Sequence, residues 1–333
     1  MTFLKMRISI LNLNLKLNIT TVLFLLAVLT LVGCGRTRNE TVPKGNTLYT
    51  AVDEEGRTLS FEKIPTRIVS LSYPTDEIVT DLVPQERILT YSKWSGDPNI
   101  SYLSKQQVDK IGKKALDSQE AIFSLKPDLV IATNTGRNDI IYGLESMGIK
   151  VYIASSPRTY EQCKTKVLKL AHALGADENG QKIVSNMDDR LSKLNKKLSN
   201  LKENEKKVCV AFSFSGAMGR KGGLLDDIMN KAGIINGAAL VQNGISGNNI
   251  MSKEQIVRIN PDVFLIPTWK PTPKADVEGY YKQIKNDPAY VNVKAVKNNT
   301  IYFINDKYRY VGSHHVIDAI EAHAKIVYPE LFK

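Results

Sequence analysis

Residues 118–131, SQEAIFSLKPDLVI, return as residues 252–265, SKEQIVRINPDVFL, so that Glu120 corresponds to Glu254 at an offset of 134 residues. In both copies a serine precedes a helical pattern, and a Pro-Asp pair ends that pattern before an apolar run. Serine is a favoured N-cap, and an acidic residue stabilises the positive end of a helix. Each copy therefore predicts a helix, a turn and a buried strand, with one glutamate exposed at the start of the helix.

Short apolar runs alternate with amphipathic stretches around both copies, which predicts mostly parallel strands covered by helices. The alternation is interrupted at residues 177–201, where apolar residues recur every three or four positions among lysines and asparagines. The predicted fold is α/β, with two Rossmann-like lobes at 64–176 and 205–333 joined by one long interdomain helix within 177–204. Because a helix is a stiff connection, we expect only small closure between the lobes.

The N-terminal residues have the order of properties of an export signal. Basic residues come first, an apolar run follows at 20–32, and Gly33 and Cys34 end it. The run of about 13 residues is shorter than the roughly 20 that a membrane-spanning helix needs. Residues 1–33 are predicted to be a signal peptide and 34–63 a polar tether. The sequence LVGC resembles the lipobox of bacterial lipoproteins, which implies a lipid on Cys34 and an anchor on the extracytoplasmic face of the cell membrane.

Composition and cysteine usage limit the class of protein further. With 43% hydrophobic and 24% charged residues in 333, the chain is typical of globular proteins. A net charge of +11 suits an anionic ligand or membrane surface, and no basic block interleaved with aromatics indicates nucleic-acid binding. An exported protein permits a disulfide, but Cys163 and Cys209 fall in different predicted lobes, which favours two buried thiols.

Residues that follow strands are candidates for ligand contact, because ligands of open parallel sheets bind beyond the carboxyl ends of the strands. Aromatic and cationic side chains dominate these positions, and both tryptophans of the chain are among them. Aromatic faces contact flat or bulky ligands, while arginine and lysine bind anionic oxygens. The set predicts an anionic, metal-chelated organic ligand bound by Tyr73, Trp94, Arg137, Phe214, Arg220, Trp269, Lys270, Tyr308, Arg309 and Tyr310.

A site for a bare metal ion is not predicted from the four histidines. His172 and His323 lie in separate helical patterns, and His314 and His315, as neighbours at the start of a helix, would point about 100° apart. A haem remains an alternative ligand, with His314, His315 or Met218 available to its iron. The chain has no nucleophile elbow and no phosphate-binding glycine loop, which is against an enzyme. A surface adhesin and a hydrolase remain the non-transport alternatives.

Taken together, these features resemble the class III solute-binding proteins of ABC importers, which serve ferric siderophores, haem and cobalamin. The resemblance covers about residues 64–330 and is carried by RIVSLS at 67–72 with YPTDEI after it, both repeat copies, GGLLDDIMNKAGIIN at 222–236 and the closing YPELF. It implies that Glu120 and Glu254 dock into arginine pockets of a dimeric permease, and that a monomer delivers the chelate without a cofactor of its own. Tyr73 and the pair Val83-Pro84 depart from the family pattern. These departures affect the prediction of the ligand more than the prediction of the fold. The interpretation is a receptor for a ferric siderophore, with cobalamin or haem as the alternative.

Overall fold

The computed structural model describes residues 47–112, 118–133, 138–241 and 250–333. The predicted signal peptide, Cys34 and Arg137 lie outside these residues and remain predictions. Within the described ranges, no helix combines the length and the apolar character needed to cross a bilayer.

The first lobe is built around a four-stranded parallel sheet in the order β4 (Ile88–Thr90), β3 (Ile68–Ser70), β5 (Leu129–Ala132) and β6 (Val151–Ile153). Its strands are short and fully or largely buried, as expected when helices cover both faces. The elements are β3 (Ile68–Ser70), α1 (Tyr73–Leu82), β4 (Ile88–Thr90), α2 (Lys105–Ile111), α3 (Gln119–Ser124), β5 (Leu129–Ala132), α4 (Asn138–Ser146), β6 (Val151–Ile153) and α5 (Tyr160–Ala173), preceded by β1 (Tyr49–Val52) and β2 (Thr58–Phe61).

The second lobe contains a five-stranded sheet in which β11 (Ile301–Ile304), β10 (Val263–Pro267), β7 (Val208–Ser213) and β8 (Gly216–Met218) lie side by side and β9 (Ile235–Asn236) pairs with β7. All its pairings are parallel except that of β7 with β8. The predicted α/β class with two mostly parallel sheets is confirmed. After the connecting helix α6 (Asp177–Leu198), the elements are β7 (Val208–Ser213), β8 (Gly216–Met218), α7 (Leu224–Lys231), β9 (Ile235–Asn236), α8 (Lys253–Ile259), β10 (Val263–Pro267), α9 (Val277–Lys285), α10 (Lys294–Lys297), β11 (Ile301–Ile304) and α11 (Val316–Val327).

The sequence repeat corresponds to one structural unit that occurs in both lobes. The side chains of Ser118 and Ser252 cap helices α3 and α8, each accepting a backbone N–H at 3.2 Å. In the Pro-Asp pairs, Asp128 accepts the backbone N–H of Arg67 and Asp262 that of Val208, both at 2.9 Å. The aspartate of each repeat thus fixes its strand beside the first strand of the lobe's sheet.

The lobes are joined by a packed layer of helices. Helix α6, with 22 residues, packs against α5 and α1 of the first lobe and also contacts α11 of the second. Arg190 of α6 binds Asp318 and Glu321 of α11 at 2.7 and 2.9 Å. One cluster of buried apolar side chains continues from Ile78 through this layer to Ile317. A single bridging helix as the only connection is therefore not confirmed, because several helices share one core.

The hairpin of β1 and β2 occupies part of the predicted tether. Arg57 binds Asp53 within the hairpin at 2.7 Å and reaches Glu145 of α4 at 2.6 Å, while Phe61 is buried. The folded part of the chain therefore begins well before Ile64, and the prediction that the tether extends to residue 63 is wrong for this hairpin.

Both cysteines among the described residues are free and buried, as predicted. Cys163 lies in helix α5 and Cys209 in strand β7, and both side chains are fully enclosed. Burial raises the pKa of the Cys163 thiol to about 12, so this group stays protonated and unreactive at neutral pH.

Candidate functional site

A cavity of about 690 Å³ lies between the two lobes, beyond the carboxyl ends of β6 and β7. The first lobe contributes the segment that follows β6, and the second contributes the loops around β8 and the segment that follows β11. Its character is set by three arginines with aliphatic and sulfur-containing neighbours. The lining consists of Ser156, Pro157, Arg158, Ser215, Met218, Gly219, Arg220, Gly223, Leu224, Leu225, Ile250, Arg309 and Tyr310.

Arg309 is the buried cation of this cavity, with 5% of its surface exposed. Its Nη1 lies 3.0 Å from Asp306, its Nη2 contacts the sulfur of Met218, and its Nε has no hydrogen-bond partner. Burial lowers the pKa of Arg309 and the nearby Asp306 opposes that shift, but a guanidinium remains charged at neutral pH. A buried cation with a spare donor favours an anionic ligand.

Asp306 holds this arginine in place and is itself buried. Its second carboxylate oxygen accepts the backbone N–H groups of Thr268 and Trp269, each at 2.8 Å, just after strand β10. One carboxylate therefore connects the segments that follow β10 and β11, and orients Arg309 from behind.

The other two arginines approach from opposite lobes. Arg158 follows β6 and donates from Nε to the carbonyl oxygen of Gly222 in the second lobe at 3.2 Å, whereas Arg220 is exposed. Arg158 was not among the residues predicted from the sequence, although it too follows a strand, which is the position that selected the other candidates. The cavity thus presents cations from both lobes.

The predicted aromatic residues lie beside the cavity and contact each other across the lobes. The rings of Trp94 and Trp269 are 5.7 Å apart and nearly perpendicular, and Trp269 lies 6.4 Å from Tyr310. The Tyr73 hydroxyl donates to the carbonyl oxygen of Tyr310 at 2.6 Å, and Trp269 Nε1 donates to Asp97 at 3.3 Å. Of these residues, Tyr310 lines the cavity, while the others hold the lobes together at its side.

Of the remaining predicted residues, two pack against other aromatic side chains and one is exposed at the surface. Phe214 packs on Tyr280 with 5.0 Å between ring centres, and Tyr308 packs edge-on against Tyr102 in the shared core. Lys270 is exposed, and neither it nor these aromatics line the cavity. The structure thus brings Arg220, Arg309 and Tyr310 together at the cavity, while Phe214 and Tyr308 serve packing.

The haem alternative loses two of its three proposed iron ligands. His314 and His315 line a different cavity, of about 360 Å³, that shares no residue with the first. Met218 does line the interlobe cavity, but its sulfur is already in contact with Arg309.

Glu120 and Glu254 are exposed at the starts of helices α3 and α8. Hydrogen bonds at the helix start, from the backbone N–H of Glu120 and from the Ser252 hydroxyl to Glu254, hold the pKa of both carboxyls below the ordinary value. Three residues further on, Phe123 and Val257 are 45% and 41% exposed. Each lobe therefore displays an anion beside an apolar side chain at equivalent positions of the repeat.

A cavity between two α/β lobes that is lined by cations is suited to capturing a solute, and the family and the relatives identify the protein as a solute-binding protein of the kind used by ABC transporters, not an enzyme. The chain belongs to the periplasmic binding protein family, whose model matches residues 68–308.

Relatives and solved structures agree with this assignment. The chain is 24% identical over 327 residues to "Uncharacterized ABC transporter substrate-binding lipoprotein YvrC" of Bacillus subtilis (strain 168), covering 93% of this chain and 96% of that one. It is 25% identical to "Probable siderophore-binding lipoprotein YfiY" of the same organism, covering 85% and 89%. A structure from Staphylococcus epidermidis ATCC 12228, described as a possible iron-binding (periplasmic solute-binding) protein, has the same fold with a TM-score of 0.66, 19% identity and coverage of 80% and 100%.

Proposed function

We propose that this protein captures a ferric siderophore between its lobes and delivers it to an ABC permease. The observation that carries the proposal is the buried Arg309, whose Nε has no partner, beside Arg158 and Arg220 in one cavity. Many iron chelates are anionic organic molecules, and three guanidinium groups supply both charge and directed donors. The volume of about 690 Å³ lies in the range of small-molecule sites and is too large for a bare ion.

Two of the similar proteins support iron as the cargo. The name of YfiY refers to siderophore binding, and the Staphylococcus epidermidis protein is described as a possible iron-binding protein. Haem is the second candidate, favoured by Met218 in the cavity lining, and cobalamin belongs in the same test.

The proposed delivery depends on anchoring and docking. A lipid on Cys34 would keep the monomeric receptor at the extracytoplasmic face of the membrane, beside the permease. Glu120 and Glu254, charged and fully exposed, would then contact cationic pockets on the two permease subunits.

Ligand identity is tested by titrating the purified full-length chain, in detergent, with ferric catecholate, hydroxamate and citrate complexes, haem and cobalamin. Quenching of tryptophan fluorescence reports binding, because Trp269 lies next to Tyr310 of the cavity and Trp94 contacts Trp269. Saturable binding of one ferric chelate, with weaker binding of its iron-free form, is expected. Binding of haem or cobalamin alone would reject a siderophore as the ligand but retain the function as a receptor. Binding of none of these compounds would reject the interlobe cavity as a site for iron chelates, haem and cobalamin.

A further inference from the structure

Three side chains that could bind a metal ion lie close together outside the interlobe cavity. Asp81 at the end of helix α1 meets His314 and His315, which precede helix α11, and one potential ligand atom from each lies within 4.8 Å of the other two. The cluster borders the cavity of about 360 Å³, which is also lined by residues of helix α6. The three side chains come from both lobes, and none of them lines the proposed chelate site.

The two neighbouring histidines do not have the helical geometry that the sequence predicts. Helix α11 begins at Val316 and His315 is its N-cap, so the separation of about 100° between helical neighbours does not apply to His314 and His315. The centres of the two imidazole rings are 4.2 Å apart with 37° between their planes, so the rings lie partly face to face and do not point in opposite directions.

His315 is oriented as metal-binding histidines usually are. Its Nδ1 lies 2.7 Å from Asp318, and Asp318 in turn accepts from Arg190 at 2.7 Å. The ring of Tyr102 stacks on the imidazole at 4.0 Å, with 3° between the planes. A carboxylate at one nitrogen fixes the ring and leaves the other nitrogen, Nε2, for a metal ion.

His314 shows an unsatisfied group in the same place. It is 7% exposed, its Nε2 lies 2.9 Å from Asp81, and its Nδ1 is buried without a hydrogen-bond partner. Nε2, which already faces the carboxylate, is therefore the nitrogen of His314 that is placed to share an ion with Asp81, and Nδ1 is not a ligand.

We propose that Asp81, His314 and His315 form a binding site for a divalent transition metal of the zinc class. Two imidazoles and one carboxylate are typical ligands of Zn²⁺, Co²⁺ and Ni²⁺, and a fourth position would open to the adjoining cavity. The ion takes the place of the proton between His314 Nε2 and Asp81. Around a tetrahedral ion with bonds of about 2.0–2.1 Å, ligand atoms lie about 3.3 Å apart, so His314 Nε2 and Asp81, now 2.9 Å apart, must separate slightly, which the half-exposed Asp81 side chain can accommodate.

Two cationic side chains also line this cavity, and their charge affects how tightly the site can bind a metal ion. Arg190 is neutralised by Asp318 and Glu321, whereas Lys182 adds positive charge at the cavity wall. Since Asp81 and the histidines belong to different lobes, a bound ion would link the lobes independently of any chelate in the interlobe cavity.

The test is titration of the purified full-length chain, without a polyhistidine tag, with Zn²⁺ by calorimetry and with Co²⁺ by visible absorption. One ion per chain is expected, with the d–d bands of nitrogen and oxygen ligation. Asp81→Asn and His315→Ala should each weaken binding by at least about tenfold. His172→Ala is the matched control, because His172 also has a carboxylate partner, Asp177 at 3.1 Å, but belongs to no cluster of three among the described residues.

Absence of stoichiometric binding would overturn the proposal, as would binding that survives both Asp81→Asn and His315→Ala. Equal loss in the His172→Ala protein would show that the ion is held elsewhere on the surface. Thermal unfolding with and without Zn²⁺ separates loss of the site from loss of the fold, because a variant that still unfolds cooperatively but is no longer stabilised by Zn²⁺ has lost the site alone. None of these measurements uses a chelate, so the result does not depend on the identity of the cargo.

Discussion

At the scale of single residues, the interlobe cavity combines a fixed cation with an adaptable one. Arg309 is buried and held by Asp306, whereas Arg220 is exposed. The buried arginine is pre-organised and therefore adds affinity at little conformational cost. Replacing it would leave Asp306 as an unpaired buried carboxylate, so Arg220 is the better position for testing ligand contact.

Arg220→Ala is expected to lower affinity for the ferric chelate by about 1–3 kcal/mol without changing the unfolding midpoint, because a charge-assisted hydrogen bond is lost from an exposed side chain. Lys221→Ala is the matched control, since Lys221 is the exposed neighbouring cation and does not line the cavity. Fluorescence titration of both variants measures the effect. Equal losses in the two would indicate general electrostatic attraction and no specific contact.

A second prediction concerns Glu77, a buried carboxyl that accepts the Ser313 hydroxyl across the lobes at 2.6 Å. Burial raises its pKa from an ordinary 4.5 to about 7. The folded protein therefore holds a proton that the unfolded chain releases, and the contribution of this group to the free energy of unfolding falls as pH rises from about 4.5 to 7. The loss is at most about 3 kcal/mol.

Glu77→Gln is expected to remove this part of the pH dependence, so that the variant gains stability relative to the wild type as pH rises from 5 to 8. Urea unfolding across that pH range measures it. Glu86→Gln, an exposed glutamate, serves as the control. A constant difference between Glu77→Gln and the wild type at all pH values would show that Glu77 does not titrate in this window.

At the scale of elements, the repeated helix places the same two side-chain types on each lobe. Glu120 and Phe123 lie three residues apart on α3, as do Glu254 and Val257 on α8, so each pair shares one helix face. An exposed anion beside an exposed apolar group suits a partner that offers a cationic pocket with an apolar rim.

Glu120→Lys or Glu254→Lys is expected to abolish uptake while affinity for the ligand stays within about threefold, a difference below about 0.7 kcal/mol. Phe123→Ser should reduce uptake in the same way, although less. Glu178→Lys is the matched control, because Glu178 is an exposed glutamate in the first turn of α6. Uptake assays in cells and fluorescence titration of the purified variants separate the two effects, and lost affinity after either reversal would reject docking.

Elements with a strong local signal could be predicted from the sequence. The repeat predicted the helix, turn and strand in both lobes because capping serines and Pro-Asp turns are local chemistry. The hairpin β1–β2 was missed because its strands are short and partly exposed, and it is held by Arg57 through distant contacts with Glu145. Long-range ion pairs of this kind leave no periodic pattern.

The site was predictable in type but not in detail. The rule that ligands bind after strands found Arg220, Arg309 and Tyr310, yet it could not show that Trp94 and Trp269 contact each other. That contact depends on how closely the two lobes approach. For the same reason, the sequence did not predict that the rings of His314 and His315 lie 4.2 Å apart, since where helix α11 begins decides which way they point.

At the scale of the whole molecule, the lobes contact each other through both the helical layer and the rim of the cavity. The layer shares one apolar core, while the rim is closed by the ring contact between Trp94 and Trp269 and by the hydrogen bond from Tyr73 to Tyr310. A shared core resists separation, so we expect the rim contacts to open for ligand entry and to close again over the bound ligand, where they help to retain it.

The last prediction tests whether the two tryptophans act together. Trp94→Ala and Trp269→Ala are each expected to lower ligand affinity by about 1 kcal/mol, and the double variant by little more than either alone, because both changes break the same interlobe contact. Tyr142→Ala is the control, since this exposed aromatic of α4 lies outside the cavity lining. Calorimetric titration is needed because the fluorescence signal is removed. Fully additive losses would mean that each tryptophan contacts the ligand separately. The two rings would then be part of the ligand-binding surface, and their contact with each other would not be what closes the cavity.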